Sequence, residues 1–216
     1  MLLIVQCDFD DTITVGNVSA ALRESFGPEN WREMENDYEA GALSVEESNI
    51  RQFGLMIATR HEVEAFVRSN VVIRYGFREF ANYCQNENVR LVIVSSGLDI
   101  YVNTTLVSLG LDHLEIHAGE TCVTPKGLRV SYSDLTGTEL IEGFKDSYVS
   151  HFKAQGHTVV YIGDGVSDYI PAALADYVFA RGRLADHMEA HGAPHYRFDS
   201  FTEVSQHVKE IRRKLA

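Results

Sequence analysis

Apolar residues gather in short, unbroken runs that end abruptly at polar or glycine-rich segments, and these runs alternate with stretches of helical period. Leu2 to Val5, Val89 to Val94 and Thr158 to Ile162 are too short for helices and show no polar face, so each predicts a strand buried on both sides of a sheet. Leu114 to Ala118 and Tyr177 to Ala180 predict two further strands, and Thr121 to Ser131, punctuated by Pro125 and Gly127, predicts a hairpin. Helical spacing covers Tyr75 to Asn86, the segment that closes near Leu109, Glu139 to Ala154, Ser167 to Leu174 and Thr202 to Leu215.

The segment Ile13 to Asn70 breaks this alternation, since it carries no strand pattern. Ala20, Ala21, Leu22 and Phe26 predict a helix stopped by Gly27-Pro28. Trp31, Met34 and Tyr38 predict a second, stopped by Gly41. Ser44 with Glu47, and Thr59 with Glu62, have the spacing of capping boxes ahead of two more helices. Such a block is too large for an ordinary connection. The expectation is an α/β fold, a doubly wound parallel sheet formed by residues 1–14 and 75–216, with residues 15–74 inserted as a helical cap above the end of the first strand.

The 216 residues are 45% hydrophobic, enough for one large domain with a modest insertion. A net charge of -12 argues against nucleic acid as a partner. No apolar run approaches the ~20 residues of a membrane span. Cys7, Cys84 and Cys122 form no CxxC pair, which argues against a disulfide framework and for a reducing, cytoplasmic setting. Leu2 to Val5 is too short for a signal peptide and has no basic region before it.

The candidate chemistry sits at the strand ends. The first strand runs into Asp8-Phe9-Asp10-Asp11-Thr12, with Asp8 and Asp10 two apart and so facing the same way in an extended chain. Two carboxylates aimed at one spot call for a hard cation such as Mg²⁺. Ser95-Ser96-Gly97 follows the second strand, Lys145 lies on a helix, and Gly163-Asp164-Gly165-Val166-Ser167-Asp168 follows a later strand. Phosphoryl transfer uses all four clusters. It needs a carboxylate nucleophile, a divalent ion and a lysine against charge repulsion, hydroxyl and amide donors for phosphate oxygens, and a second carboxyl as acid and base.

These four motifs, in this order, resemble those of the haloacid dehalogenase-like hydrolases over nearly the whole chain, and the helical block resembles the small cap of the phosphoserine phosphatase branch. The resemblance implies Asp8 as the nucleophile forming an aspartyl-phosphate, Asp10 as the acid and base, and Lys145 as catalytic lysine and phosphate ligand. It implies Mg²⁺ held by the Asp8 carboxylate, the Asp10 carbonyl and Asp164, with Asp168 supporting the metal or the lysine. Asp11, Ser95, Ser96 and Gly97 join the expected phosphate and substrate contacts. Asn17 stands where phosphoserine phosphatases carry a glutamate. Asp10 to Thr14, Gln52 to Leu55, Tyr75 to Phe80 and Leu174 to Arg181 resemble the methionine-salvage phosphatase acting on hydroxy-keto-methylthiopentenyl phosphate, although Ser131 to Phe144 lacks the cysteines of that group.

Other readings compete at single positions. Ser95 also suits a helix N-cap. Lys126, in a Pro-Lys-Gly turn, is the weaker rival of Lys145. Among Arg51, Arg60 and Arg68, Arg51 is expected to reach the substrate because it adjoins the apolar stripe of Ile50 and Phe53. His187, His191 and His195 have metal-like spacing, but Gly192 and Pro194 should end their helix. The expected partner is a small phosphorylated metabolite, acted on by a monomer or homodimer. A phosphomutase or phosphotransferase on the same scaffold, and a receiver-like phospho-aspartate domain, stay open as alternatives.

Overall fold

The computed structural model describes residues 2–215. Strand β1 (Leu3–Cys7) is followed by four helices, α1 (Val18–Phe26), α2 (Trp31–Glu39), α3 (Val45–Gly54) and α4 (Arg60–Asn70). Then come α5 (Phe77–Asn86), β2 (Arg90–Leu98), α6 (Asp99–Ser108), β3 (Glu115–Thr124), β4 (Gly127–Ser133) and β5 (Glu139–Leu140). The remainder is α7 (Phe144–Ala154), β6 (Thr158–Gly163), α8 (Tyr169–Leu174), β7 (Tyr177–Ala180), α9 (Gly182–Ala190), β8 (Tyr196–Arg197) and α10 (Phe201–Leu215).

The strands form one sheet in the order β5-β4-β3-β2-β1-β6-β7-β8. From β3 to β8 the neighbours are parallel, and β4 and β5 add an antiparallel edge. Ile4, Val5, Gln6 and Cys7 are buried in succession, so β1 is covered on both faces, as its apolar run requires. The chain leaves β1 toward β2 on one side and returns to β6 on the other. The carboxyl ends of β1 and β6 therefore flank the switch point where open α/β sheets bind ligands. No helix among the described residues is long and apolar enough to cross a membrane.

The insertion α1–α4 enters and leaves through two adjacent segments. Val15 N–H donates to the Val72 carbonyl and Arg74 N–H to the Ile13 carbonyl, each at 2.8 Å. Both capping boxes form. Ser44 Oγ accepts from Glu47 N–H at 3.0 Å and Thr59 Oγ1 from Glu62 N–H at 3.2 Å, with each glutamate reaching back to the cap residue. Each such cap stabilises its helix by ~1 kcal/mol and fixes where the helix begins.

The structure departs from the sequence pattern in three places. β2 does not stop at Val94 but continues to Leu98 through a register shift, with Val94 opposite His117 and Leu98 opposite Gly119. The irregularity turns Ser95, Ser96 and Gly97 toward the carboxyl end of the sheet. The helix expected from Glu139 begins only at Phe144, because Glu139 and Leu140 pair with β4 and Gly143 takes a left-handed φ of 73° at the helix start. The pair of residues in β8 is too short to have shown a strand pattern.

Candidate active site

β1 delivers Asp8 to the sheet's edge, where the Asp8 N–H donates to the Ile162 carbonyl of β6 at 2.9 Å. The next residues form a loop held from outside by two arginines. Arg74 donates to the carbonyls of Thr12 (2.7 Å), Asp11 (2.7 Å) and Thr14 (2.9 Å), and Arg181 donates to the Asp11 carbonyl and to Asp11 Oδ1. This binding holds Asp11 at φ 54°, a left-handed conformation uncommon for a non-glycine residue. Asp11 lines the cleft, but its carboxylate serves Arg181 and Gly16 N–H, and its own N–H donates to the Gly16 carbonyl. Asp11 is therefore engaged in shaping the loop rather than presented to a ligand.

Below the loop lies a buried ionic cluster. Lys145, 3% exposed, places Nζ 2.7 Å from both Asp8 Oδ1 and Asp168 Oδ1 and 3.1 Å from Ser167 Oγ. The buried Gln6 of β1 donates to the Lys145 carbonyl at 2.8 Å and so fixes the start of α7 under the site. Asp168 accepts four hydrogen bonds. Lys145 and the Tyr161 hydroxyl (2.6 Å) reach Oδ1, and the N–H groups of Asp164 (2.9 Å) and Gly165 (2.8 Å) reach Oδ2. Asp164 accepts from Thr12 Oγ1 at 2.8 Å. Oxygens of Asp8, Asp164 and Asp168 all fall within 4.8 Å of one another, the one such group of possible metal ligands among the described residues.

Three carboxylates share one ammonium. Burial would strip the charge from Asp168, but Lys145 and the Tyr161 hydroxyl outweigh it and hold the carboxyl below its usual range. Lys145 is held above its usual range, its burial outweighed by the charges of Asp168 and Asp8. The surplus charge falls on the other two. Burial, opposed by Lys145 and aided by the charge of Asp168, pushes Asp8 up to about 7. Burial and the charges of Asp8 and Asp168 push Asp164 up to about 9. The donor set fits a hard divalent ion: it is all oxygen, crowded and undercompensated by one unit or more. Since Asp168 is saturated by four donors, Asp8 and Asp164 are the carboxylates left for an ion.

Asp10 points elsewhere. Its Oδ1 accepts from Val18 N–H at 2.9 Å, and its Oδ2 accepts from Ser19 Oγ at 2.9 Å and from the Tyr101 hydroxyl. Burial raises its pKa against these donors. Val18 and Ser19 belong to the first turn of α1, so the inserted block reaches down and takes hold of this carboxyl. A Cβ on Gly97 would lie 1.4 Å from the Tyr101 hydroxyl, which explains why only glycine fits at this position of β2 beside the phenol.

A cleft of about 310 Å³ joins these groups, bounded below by Asp8, Asp10, Ser95, Ser96, Gly97, Lys145, Asp164 and Asp168 and above by residues of the helical insertion. Ser95 is 1% exposed and accepts from Gly97 N–H at 3.1 Å, while the Ser96 carbonyl accepts from Asn49 and Tyr132. Lys126 is exposed in the β3–β4 turn. Arg51 is not brought to the cleft: it is exposed, because Asn49 takes the inward face of α3 and a residue two positions on points the opposite way. The insertion supplies Arg23 instead, from α1. The signal for it was an arginine on the stripe of Val18, Ser19 and Leu22, the face that α1 buries. His187 stacks on Tyr169 at 3.8 Å, and no histidine belongs to a possible metal group among the described residues.

A parallel sheet with a carboxylate cluster at its switch point, roofed by a helical insertion, defines a capped α/β hydrolase. The model of the haloacid dehalogenase-like hydrolases matches residues 5–173, and the chain belongs to that family. It is 27% identical to the 2-hydroxy-3-keto-5-methylthiopentenyl-1-phosphate phosphatase of Brevibacillus brevis, over 99% of this chain and 98% of that one. It is 30% identical to the enzyme of the same name from Geobacillus thermodenitrificans, over 97% and 96%. Among solved structures, a substrate-bound phosphoserine phosphatase superposes with a TM-score of 0.70 at 18% identity, over 96% of this chain and 98% of that one. The phosphoserine phosphatase of T. onnurineus gives 0.68 at 16%, over 97% and 95%. At these identities the solved structures speak to the fold.

Proposed function

We propose that the protein is a magnesium-dependent phosphomonoesterase acting on a small phosphorylated metabolite through an aspartyl-phosphate. The observation that carries the reading is Asp8: a buried carboxylate ion-paired to Lys145, facing a cleft of about 310 Å³, and crowded by two further carboxylates. That volume is near the lower end for small-molecule sites, which are ~300–1,000 Å³.

In this reading an Asp8 oxygen attacks phosphorus, the Asp8 O–P bond forms and the ester O–P bond breaks. Asp10 gives its proton to the departing oxygen and then takes one from the water that attacks phosphorus and releases Asp8. The raised pKa of Asp10 favours the protonated form that the first step uses. Lys145 holds Asp8 in place and offsets its charge, while Ser95, Ser96 and Gly97 supply hydroxyl and N–H donors for phosphate oxygens. Asp8 and Asp164, with the Asp10 carbonyl, would hold Mg²⁺, whose chemistry is to neutralise the repulsion between a carboxylate and a phosphate dianion. The insertion α1–α4 covers the cleft and keeps bulk water from the intermediate. Domain boundaries at 15–74 follow from the same reading, with the paired segments at Val15 and Val72 as the neck. The full-length likeness to hydroxy-keto-methylthiopentenyl phosphate phosphatases supports an oxygen-bearing carbon chain as the leaving group.

The test is phosphate release from a panel of small esters with and without Mg²⁺, in labelled water. Label in free phosphate, only with Mg²⁺ present, is the expected result; transfer of the group to an added alcohol instead would mean a phosphotransferase.

A further inference from the structure

Tyr38 reaches the cleft from α2 and takes no part in the hydrogen bonding of the fold. Together with Glu35 of the same helix it lines the cleft across from Lys145, Ser167 and Asp168. The charges that act on its hydroxyl are those of Lys145, Asp168, Glu35 and Arg183, which places the phenol over the Lys145–Asp168 pair. The side chain is half-buried, and its hydroxyl makes no hydrogen bond to any described residue. Arg23 Nε also lacks a partner but is sealed within the insertion, whereas the Tyr38 hydroxyl is reachable from the cleft.

Acceptors are plentiful around this phenol, yet each is committed elsewhere. Asp168 is saturated by four donors, and Asp8 Oδ1 is taken by Lys145. Glu35 Oε2 accepts from Gln52 Nε2 at 2.8 Å and lies 3.5 Å from Arg23 Nη2. Burial pushes the Tyr38 hydroxyl up to about 12, so it stays a donor at neutral pH. A donor in a half-buried place with no protein acceptor marks a spot where a ligand supplies one.

Position selects the ligand atom. The Asp10 carboxyl is pinned to Val18, Ser19 and Tyr101, on the side of α1 and α6. Lys145 and Asp168 stand on the other side, where Asp168 follows β6. An ester that reacts at Asp8 with its leaving oxygen beside Asp10 turns a non-bridging phosphoryl oxygen toward Lys145, beneath Tyr38. That oxygen is anionic, the kind of acceptor that gives a hydroxyl donor its strongest hydrogen bond.

We propose that Tyr38 is the residue through which the helical insertion binds the phosphoryl group, its hydroxyl donating to a non-bridging oxygen beside Lys145. This assignment rests on the phosphatase reading of the cleft and adds to the donors of the core one from α2. Because the contact is to the phosphoryl group, it is common to every ester the site accepts.

The test is Tyr38→Phe, with inorganic phosphate as the probe in calorimetry with Mg²⁺ present, alongside kcat/KM for phenyl phosphate and glycerol 2-phosphate. The phosphate Kd is expected to rise about tenfold, the worth of a hydrogen bond to a charged acceptor, and kcat/KM to fall by a similar factor on both esters. Mg²⁺ binding without phosphate, and Tm, should match wild type, since the hydroxyl has no protein partner to lose. An unchanged phosphate Kd overturns the proposal, as does a loss confined to one ester, which would place the contact on the leaving group. Weakened Mg²⁺ binding together with a lowered Tm would mean a structural role and overturns it too. Hydrolysis of neither ester by the wild-type protein is a different result: it removes the phosphatase reading itself.

Discussion

Asp168→Asn is nearly isosteric and isolates what the buried cluster contributes. Asp168 has no exposure and accepts from Lys145, Tyr161 and the N–H groups of Asp164 and Gly165. An asparagine has one acceptor oxygen, so its NH₂ meets either the two backbone N–H groups or Lys145 together with a Tyr161 hydroxyl that can turn to accept. At least one hydrogen bond becomes a donor–donor contact at ~1–3 kcal/mol, and breaking one side of a buried ion pair costs ~3–5 kcal/mol. These overlap, and about 4 kcal/mol is the expected loss, against ~5–15 kcal/mol for a whole fold. Urea unfolding followed by circular dichroism at pH 7 should show it as a midpoint lowered by ~1.5–2 M, for a slope of ~2–3 kcal/mol/M. The pH dependence has a definite sign. Asp168 is held below the usual carboxylate range. Its contribution is therefore complete above the unfolded pKa of ~4 and fades as pH falls through the folded value, so the gap between wild type and variant should narrow only in acid. A midpoint shift under ~0.3 M at pH 7, or a gap that closes between pH 5 and 8, would refute this account of the cluster.

Other predictions follow from the same geometry. Asp8 and Asp164 are raised acids, so the stability tied to their protonated forms is lost as pH rises through about 7 and about 9. Mg²⁺ at ~100 times its dissociation constant should add ~2.7 kcal/mol and raise Tm by ~5–10 °C, more at pH 8 than at pH 6; an equal rise with NaCl at matched ionic strength contradicts the metal assignment. Gly97→Ala drives a methyl into the Tyr101 hydroxyl, so it should cost ~1–3 kcal/mol and lower kcat at least tenfold by releasing Asp10. Unchanged turnover in that variant would detach Asp10 from the chemistry. Asp8→Asn should fold and lose nearly all phosphate release; wild-type rates in it would end the nucleophile assignment.

Much of this was legible along the chain because the signals are local. An apolar run meeting Asp8, Asp10 and Asp11, two capping boxes, and the glycines around Asp164 each lie within a few residues, and periodicity reads them directly. The partners of Asp10 are not local: Tyr101 lies 91 residues away and Ser19 nine, and only the folded chain brings α1 and α6 together, where the Ser19 and Tyr101 hydroxyls meet at 2.7 Å beside this carboxyl. Arg51 and Arg23 show the limit most clearly. Adjacency to apolar residues suggested Arg51, but on a helix the inward face is set by the 100° step and by what it packs on, and Asn49 took that place. The late start of α7 and the extension of β2 were hidden for a related reason, since strand pairing with β4 and β3 overrode local preference at Glu139 and Ser95.

On the proposed mechanism, Asp8 captures the phosphoryl group. Acid quenching during turnover, followed by borohydride reduction, converts an acyl phosphate on aspartate to homoserine, which peptide mass spectrometry locates. Homoserine at Asp8, dependent on both ester and Mg²⁺, is the predicted result. Rapid turnover with Asp8 left unmodified, or homoserine at another aspartate, would contradict it.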